Sequence, residues 1–135
     1  MTGKGDSRGA ARSGELELDD IFDLSWGWRP SVLLLQAHTT GVFDAVAGGW
    51  KTAAEVAGKL KADTRATGLL LDGLCGAGLI QKTDGKYKNA EAVERHLVRG
   101  ATDYRGNILE LDKRAVSSWL KIGEVLKSGE PIPKP

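Results

Sequence analysis

This chain is poor in the residues from which most catalytic sites are built. Its 135 residues include one cysteine, Cys75, and two histidines, His38 and His96. A lone cysteine excludes an internal disulfide and fits a reducing, cytoplasmic setting. The two histidines fall on different predicted helices, and neither has a carboxylate or thiol at metal-ligand spacing, so no metal site is expected. His38, near a predicted helix C-terminus, is accounted for by the helix dipole. Charge of one sign is also missing. Nineteen basic side chains stand against 18 acidic ones, which removes the electrostatic case for a nucleic-acid or membrane-surface partner. No apolar run approaches the roughly 20 residues needed to cross a bilayer. The first 14 residues are polar and glycine-rich with no apolar segment behind them. They read as a disordered arm rather than a secretory signal.

The remaining chemical candidates also fail on context. The glycine-rich piece at 73–78 closes a predicted helix and precedes a strand, the reverse of a nucleotide-binding loop. Ser117 and Ser118 have no adjacent base and no glycine-flanked turn. Asp19 and Asp20 lie on a solvated helical face. Cys75 falls on a buried face and reads as a small core residue. No catalytic residue is therefore assigned.

What is present is a mainly α pattern centred on residues 52–88. Thr52 and Glu55 form a T-x-x-E capping box, and Ala53, Val56, Ala57 and Leu60 then share one helical face. Asp63 caps a second helix that turns Leu70, Leu71, Leu74 and Cys75 inward and ends at Gly78. Leu79 and Ile80 open a strand. Asp84-Gly85 signals a hairpin turn, and Lys86 to Lys88 return as the partner strand. Helix, helix and two-stranded hairpin is the winged-helix order. DNA binding is the obvious reading of that order, but the second helix offers only Thr64, Arg65, Thr67 and Asp72 to a groove, and Lys82, Lys86 and Lys88 are ordinary for a solvated hairpin.

The flanks carry apolar surplus. Residues 15–25 predict a first helix, with Leu18, Ile21, Phe22 and Leu24 on one side and Glu15, Asp19, Asp20 and Asp23 on the other. Trp26 to Arg29 read as a break, and Pro30 opens a second helix ending at Gly41. Val32, Leu33, Leu34 and Leu35 cover more than one of its faces, which predicts burial on most sides and hence a partner subunit. Asn89 is placed to cap a short helix facing Val93 and Leu97 inward. From 103 to 127, Tyr104, Ile108, Leu111, Ala115, Trp119, Ile122 and Leu126 predict one long helix. The domain is expected over 15–129, with 130–135 as a proline-rich linker.

Four stretches resemble one family. They are Leu34-Leu35-Gln36-Ala37 through Gly41-Val42-Phe43-Asp44; Thr52 to Leu60 followed by Asp63 to Leu79; Leu97 to Tyr104; and Trp119-Leu120 through Gly129-Glu130-Pro131. In order and spacing they resemble the N-terminal dimerisation domain of class I S-adenosylmethionine-dependent O-methyltransferases acting on plant phenolics and bacterial polyketides. Thr102 stands where the family usually has proline, and Glu110 where many plant members have an amide. The resemblance implies a homodimer whose N-terminal helices intertwine, with Ile21, Phe22, Leu24, Val32, Leu33, Leu34 and Leu35 at the contact. It implies a winged helix that does not bind DNA. It places Leu109, Glu110, Asp112 and Trp119 near the border of an acceptor pocket, with Trp26, Trp28 and Arg29 reaching towards the partner's. The chain itself is expected to bind no cofactor. S-adenosylmethionine, a small hydroxylated acceptor and catalysis belong to a following domain that this chain lacks. The alternatives are a winged-helix DNA-binding regulator and a free-standing interaction domain.

Overall fold

The structure, a computed structural model, describes residues 14–133. The expected N-terminal arm therefore lies, except for Gly14, outside the described residues. The described chain is mostly helical with one small three-stranded antiparallel sheet. Helices α1 (Leu18–Trp26), α2 (Trp28–Thr40) and α3 (Val42–Val46) come first. Strand β1 (Lys51–Thr52), helices α4 (Ala53–Leu60) and α5 (Thr64–Gly76), and strands β2 (Ile80–Thr83) and β3 (Lys86–Asn89) follow. Helices α6 (Glu91–His96), α7 (Asn107–Trp119) and α8 (Ile122–Ser128) complete the order.

Local chemistry sets the central elements. Thr52 Oγ1 accepts from the Glu55 N–H at 3.1 Å while Glu55 Oε1 accepts from the Thr52 N–H at 2.8 Å, closing the capping box at α4. Asp63 Oδ2 accepts from the Ala66 N–H at 2.8 Å and starts α5. Asp84 and Gly85 both have positive φ, 51° and 74°, as a tight hairpin turn requires. Lys82 then pairs with Tyr87 and Thr83 with Lys86. The core lies where α3, α4 and α5 meet the sheet: Phe43, Val46, Val56, Leu71, Leu74 and Tyr87 are buried together.

Four expectations change. The expected β2–β3 hairpin forms, but the sheet has a third strand: β1 pairs with β3, giving the order β1-β3-β2. Asn89 caps nothing. It is buried at the end of β3, where Nδ2 donates to the Phe43 carbonyl and to Glu94 Oε1, both at 2.9 Å, and Ala90 takes the cap position of α6. The break at 26–29 shrinks to Gly27 alone, which keeps right-handed helical angles, and α2 already begins at Trp28. Pro30 still falls in the first turn, where its missing N–H costs no hydrogen bond.

The fourth change concerns the long C-terminal helix. It starts at Asn107 rather than 103 and is interrupted at Leu120–Lys121, giving α7 and α8. The start is late because both histidines hold the preceding loop. His96 Nδ1 lies 3.0 Å from the Asp103 carbonyl, and His38 Nε2 lies 2.6 Å from Tyr104 Oη. At the interruption the Lys121 N–H bonds back to the Ser118 carbonyl, a tighter three-residue step that ends the α pattern.

Candidate association surface

Two neighbourhoods hold the residues singled out from the sequence. The first is the α1–α2 arm. α1 buries none of its residues. Its first turn is acidic, with Asp19 and Asp20, and Asp20 Oδ2 accepts from the Glu17 N–H at 2.9 Å. Leu18, Ile21, Phe22, Leu24 and Trp26 all face solvent, Phe22 at 53% and Leu24 at 72% exposure. The arm ends in an aromatic clasp. The Arg29 guanidinium lies 3.6 Å from the Trp26 ring centre and 4.7 Å from that of Trp28. Stacking of this kind holds two large rings at fixed positions. Arg29 Nη1 is enclosed and has no hydrogen-bond partner among the described residues.

α2 turns inward along its length. Val32 is half-buried, and Leu33 and Leu34 are partly buried against the core. Leu33 packs over Gly73 of α5, where an added Cβ would meet both of its methyl groups at 3.7 Å. Leu35 is buried by its own chain. Of the seven residues expected at a dimer contact, then, Ile21, Phe22 and Leu24 present open apolar surface, while those on α2 mostly fill the protomer.

The second neighbourhood joins α2 to α7. His38 is 2% exposed. Its Nε2 meets Tyr104 Oη at 2.6 Å, its ring stacks on that of Tyr104, and its Nδ1 faces the Glu110 carboxylate at 3.6 Å. A proton on Nδ1 suits that carboxylate, so Nε2 accepts from the Tyr104 hydroxyl. Burial pushes the His38 pKa below its ordinary 6.5, and Arg99 adds to the effect, while Glu110 and Asp44 pull the other way. His38 does lie in the last turn of α2, and to the dipole expectation the structure adds burial, which disfavours the charged ring, and the hydrogen bond to Tyr104. Arg99 donates from Nη2 to the His38 carbonyl at 2.9 Å and from Nη1 to Asp44 Oδ2 at 2.7 Å. Lys113 reaches across from α7 to Thr39 Oγ1 at 3.2 Å.

Around this joint the expected pocket-border residues separate. Leu109 is buried beneath α7 and Glu110 sits beside His38. Asp112 is exposed, and Trp119 is 71% exposed at the far end of the helix. Trp26, Trp28 and Arg29 form the separate clasp on the arm. The stripe that predicted a long helix faces outward: Ile108, Leu111, Trp119, Ile122 and Leu126 are all exposed, and Leu120 between the helices is 83% exposed. α8 buries nothing. Sequence reasoning missed the network of His38, Tyr104, Gly106 and Arg99. Its one available signal was a histidine five residues before Phe43 and its apolar neighbours, too common a pattern to read.

Chemistry beyond packing is sparse. Burial raises the Cys75 thiol pKa, which keeps it protonated. Among the described residues, no group of three or more His, Cys, Asp or Glu is placed to hold a metal ion. No described helix is long and apolar enough to cross a membrane.

The family model for the O-methyltransferase dimerisation domain matches residues 22–99. A Streptomyces sahachiroi 3-hydroxy-5-methyl-1-naphthoate 3-O-methyltransferase is 32% identical over 119 residues, which cover 85% of this chain and 34% of that protein. An O-methyltransferase family protein from Burkholderia thailandensis superposes with a TM-score of 0.79 at 29% identity, over 88% of this chain and 36% of that one. Human N-acetylserotonin methyltransferase, solved in complex with SAM, gives 0.70 at 25% identity over 90% and 37%. The chain spans about a third of the length of the curated relatives it matches.

Proposed function

Since the chain belongs to the O-methyltransferase dimerisation-domain family, we propose that it pairs two copies of an S-adenosylmethionine-dependent O-methyltransferase and caps the substrate site. In this reading residues 15–129 form the pairing unit. Residues 130–135 lead towards a catalytic domain, where the methyl donor binds and a small hydroxylated acceptor is methylated. α4, α5 and the β2–β3 hairpin, with β1 as third strand, are a winged helix used as scaffold. The outer face of α5 supports a scaffold role better than groove reading. Asp72 there is engaged by the Tyr87 hydroxyl at 2.7 Å and Lys82 Nζ at 3.0 Å, so one of the hairpin's lysines is already committed.

The observation that carries the proposal is the solvent-facing apolar surface of α1 and α7–α8 in a chain of this family. Isolated helices as short as α1 are marginal in water, and most helices in proteins owe their stability to a packed apolar face. α1 finds no such packing among the described residues. Obligate pairs bury on the order of 2,000 Å² or more. The capping part of the proposal rests on Glu110, Asp112 and Trp119 along α7 and on the clasp of Trp26, Trp28 and Arg29, which present polar and aromatic groups next to that apolar surface.

Sedimentation equilibrium of the chain at micromolar concentration should give a dimer. The double variant Phe22→Ser/Leu24→Ser should run as a folded monomer with an unchanged far-ultraviolet spectrum, because both side chains are exposed in the protomer. A wild-type chain that stays monomeric throughout the accessible concentration range sinks the proposal.

A further inference from the structure

Between residues 15 and 50 Arg29 is the single lysine or arginine, while Glu15, Glu17, Asp19, Asp20 and Asp23 precede it within one short arm. None of those acids takes it. Among the described residues Arg29 has no carboxylate partner, and its Nη1 is enclosed without an acceptor. Its contacts are aromatic instead. Trp26 and Arg29 are three residues apart, neighbours on a helical surface, and Gly27 between them keeps right-handed helical angles. At 3.6 Å from the Trp26 ring centre the guanidinium lies flat on the ring, and Trp28 closes in at 4.7 Å. Indole faces therefore hold the plane of the cation, and its N–H edge is left without an oxygen.

We infer that this clasp is a binding site for a singly charged aromatic carboxylate, with the acid group on the edge of Arg29 and the ring against the indoles. The inference rests on the capping role proposed above and narrows the acceptor there to a hydroxylated aromatic acid. A guanidinium gripped by its faces still offers parallel in-plane N–H donors, from which a carboxylate accepts two hydrogen bonds. Shutting Nη1 away without an acceptor has already incurred a desolvation cost, so an arriving oxygen gains its bond without that loss. The stacking also fixes the side chain before anything binds. Charge sets the class of acid. One arginine balances one negative charge, and the five carboxylates of the arm repel a second, which disfavours phosphate. The rings set the body of the ligand. Trp26 and Trp28 are 60% and 55% exposed, and Phe22, one turn before Trp26, is bare as well. Flat aromatic groups stack on such surfaces with an attraction beyond the area they bury.

The test is a titration of the 135-residue chain at neutral pH, followed by nuclear magnetic resonance at the tryptophan indole N–H groups. The probes are para-hydroxybenzoate and para-hydroxybenzamide, alike in size and different in charge. The wild type should bind the acid at least about tenfold more tightly than the amide, with the Trp26 and Trp28 signals moving. Arg29→Gln should bind both probes alike, and Arg29→Lys, which keeps the charge without the planar fork, should fall between. Circular dichroism should be the same in all three, since Arg29 stands outside the buried core. A wild type that binds neither probe, or both equally, overturns the inference, and so does a preference for the acid that survives Arg29→Gln. Sedimentation equilibrium on the same samples separates the site from the function beneath it. A wild-type dimer with no preference for the acid loses the site and keeps the pairing. An Arg29→Gln variant that no longer dimerises gives the guanidinium to a carboxylate of the second copy, and the site falls. A wild type that does not dimerise removes the function proposed above, while the two probes still decide the site.

Discussion

Gly106 owes its place to space rather than to backbone conformation. Its φ of −65° is open to any residue, yet it is buried, and a Cβ there would run into the Tyr104 ring and His38 Nε2. Gly106→Ala should therefore force that pair apart at a cost of about 1–3 kcal/mol, read as a lowered midpoint in urea unfolding. His38 supplies a pH signature at the same point. Its folded pKa is depressed, so the unfolded chain binds the proton more readily. Stability should be full above 6.5 and should fall as pH drops from there through the folded value. His38→Gln should flatten that slope while lowering stability at neutral pH, which urea titrations at several pH values would measure. A slope unchanged by the substitution would mean that another group governs it. None of this was legible in the sequence. A histidine near a helix end looks the same whether charged and solvated or neutral and buried, and the difference lies in Tyr104, 66 residues away.

The elements set by local chemistry were readable, and those set by distant contacts were not. Thr52 with Glu55, Asp63, and Asp84 with Gly85 each name their structure within four residues, and the chain obeys them. Thr52→Ala should lower stability by about 1 kcal/mol through loss of the cap alone, as thermal unfolding would register. The apolar period of the C-terminal segment, by contrast, runs unbroken across the step at Leu120–Lys121, where neither glycine nor proline announces an interruption. β1 is two residues long, below what alternation can reveal. Asn89 precedes a helix and has the right chemistry to cap it. Its use by the Phe43 carbonyl depends on α3 lying above the sheet, which no local pattern encodes.

At the scale of the molecule, the seven residues assigned to a partner contact divide by depth. Of those on α2, Leu35 is buried and Val32, Leu33 and Leu34 are partly buried, because a helix apolar on most sides can be wrapped in part by its own chain. Those on α1 remain bare, and α7–α8 adds a second bare surface that periodicity alone could not orient. The placement of the tryptophans has an optical consequence. All four, Trp26, Trp28, Trp50 and Trp119, stand at the surface of the protomer, and none contributes to the core. Near-ultraviolet fluorescence of this chain should then be a gauge of coverage rather than of folding. A separated protomer should emit close to the wavelength of indole in water, even with every helix intact. Docking of the bare surfaces should shift the emission of Trp26 and Trp119 to the blue. Dilution at constant denaturant would thus change the colour of the emission before it changes the helix content.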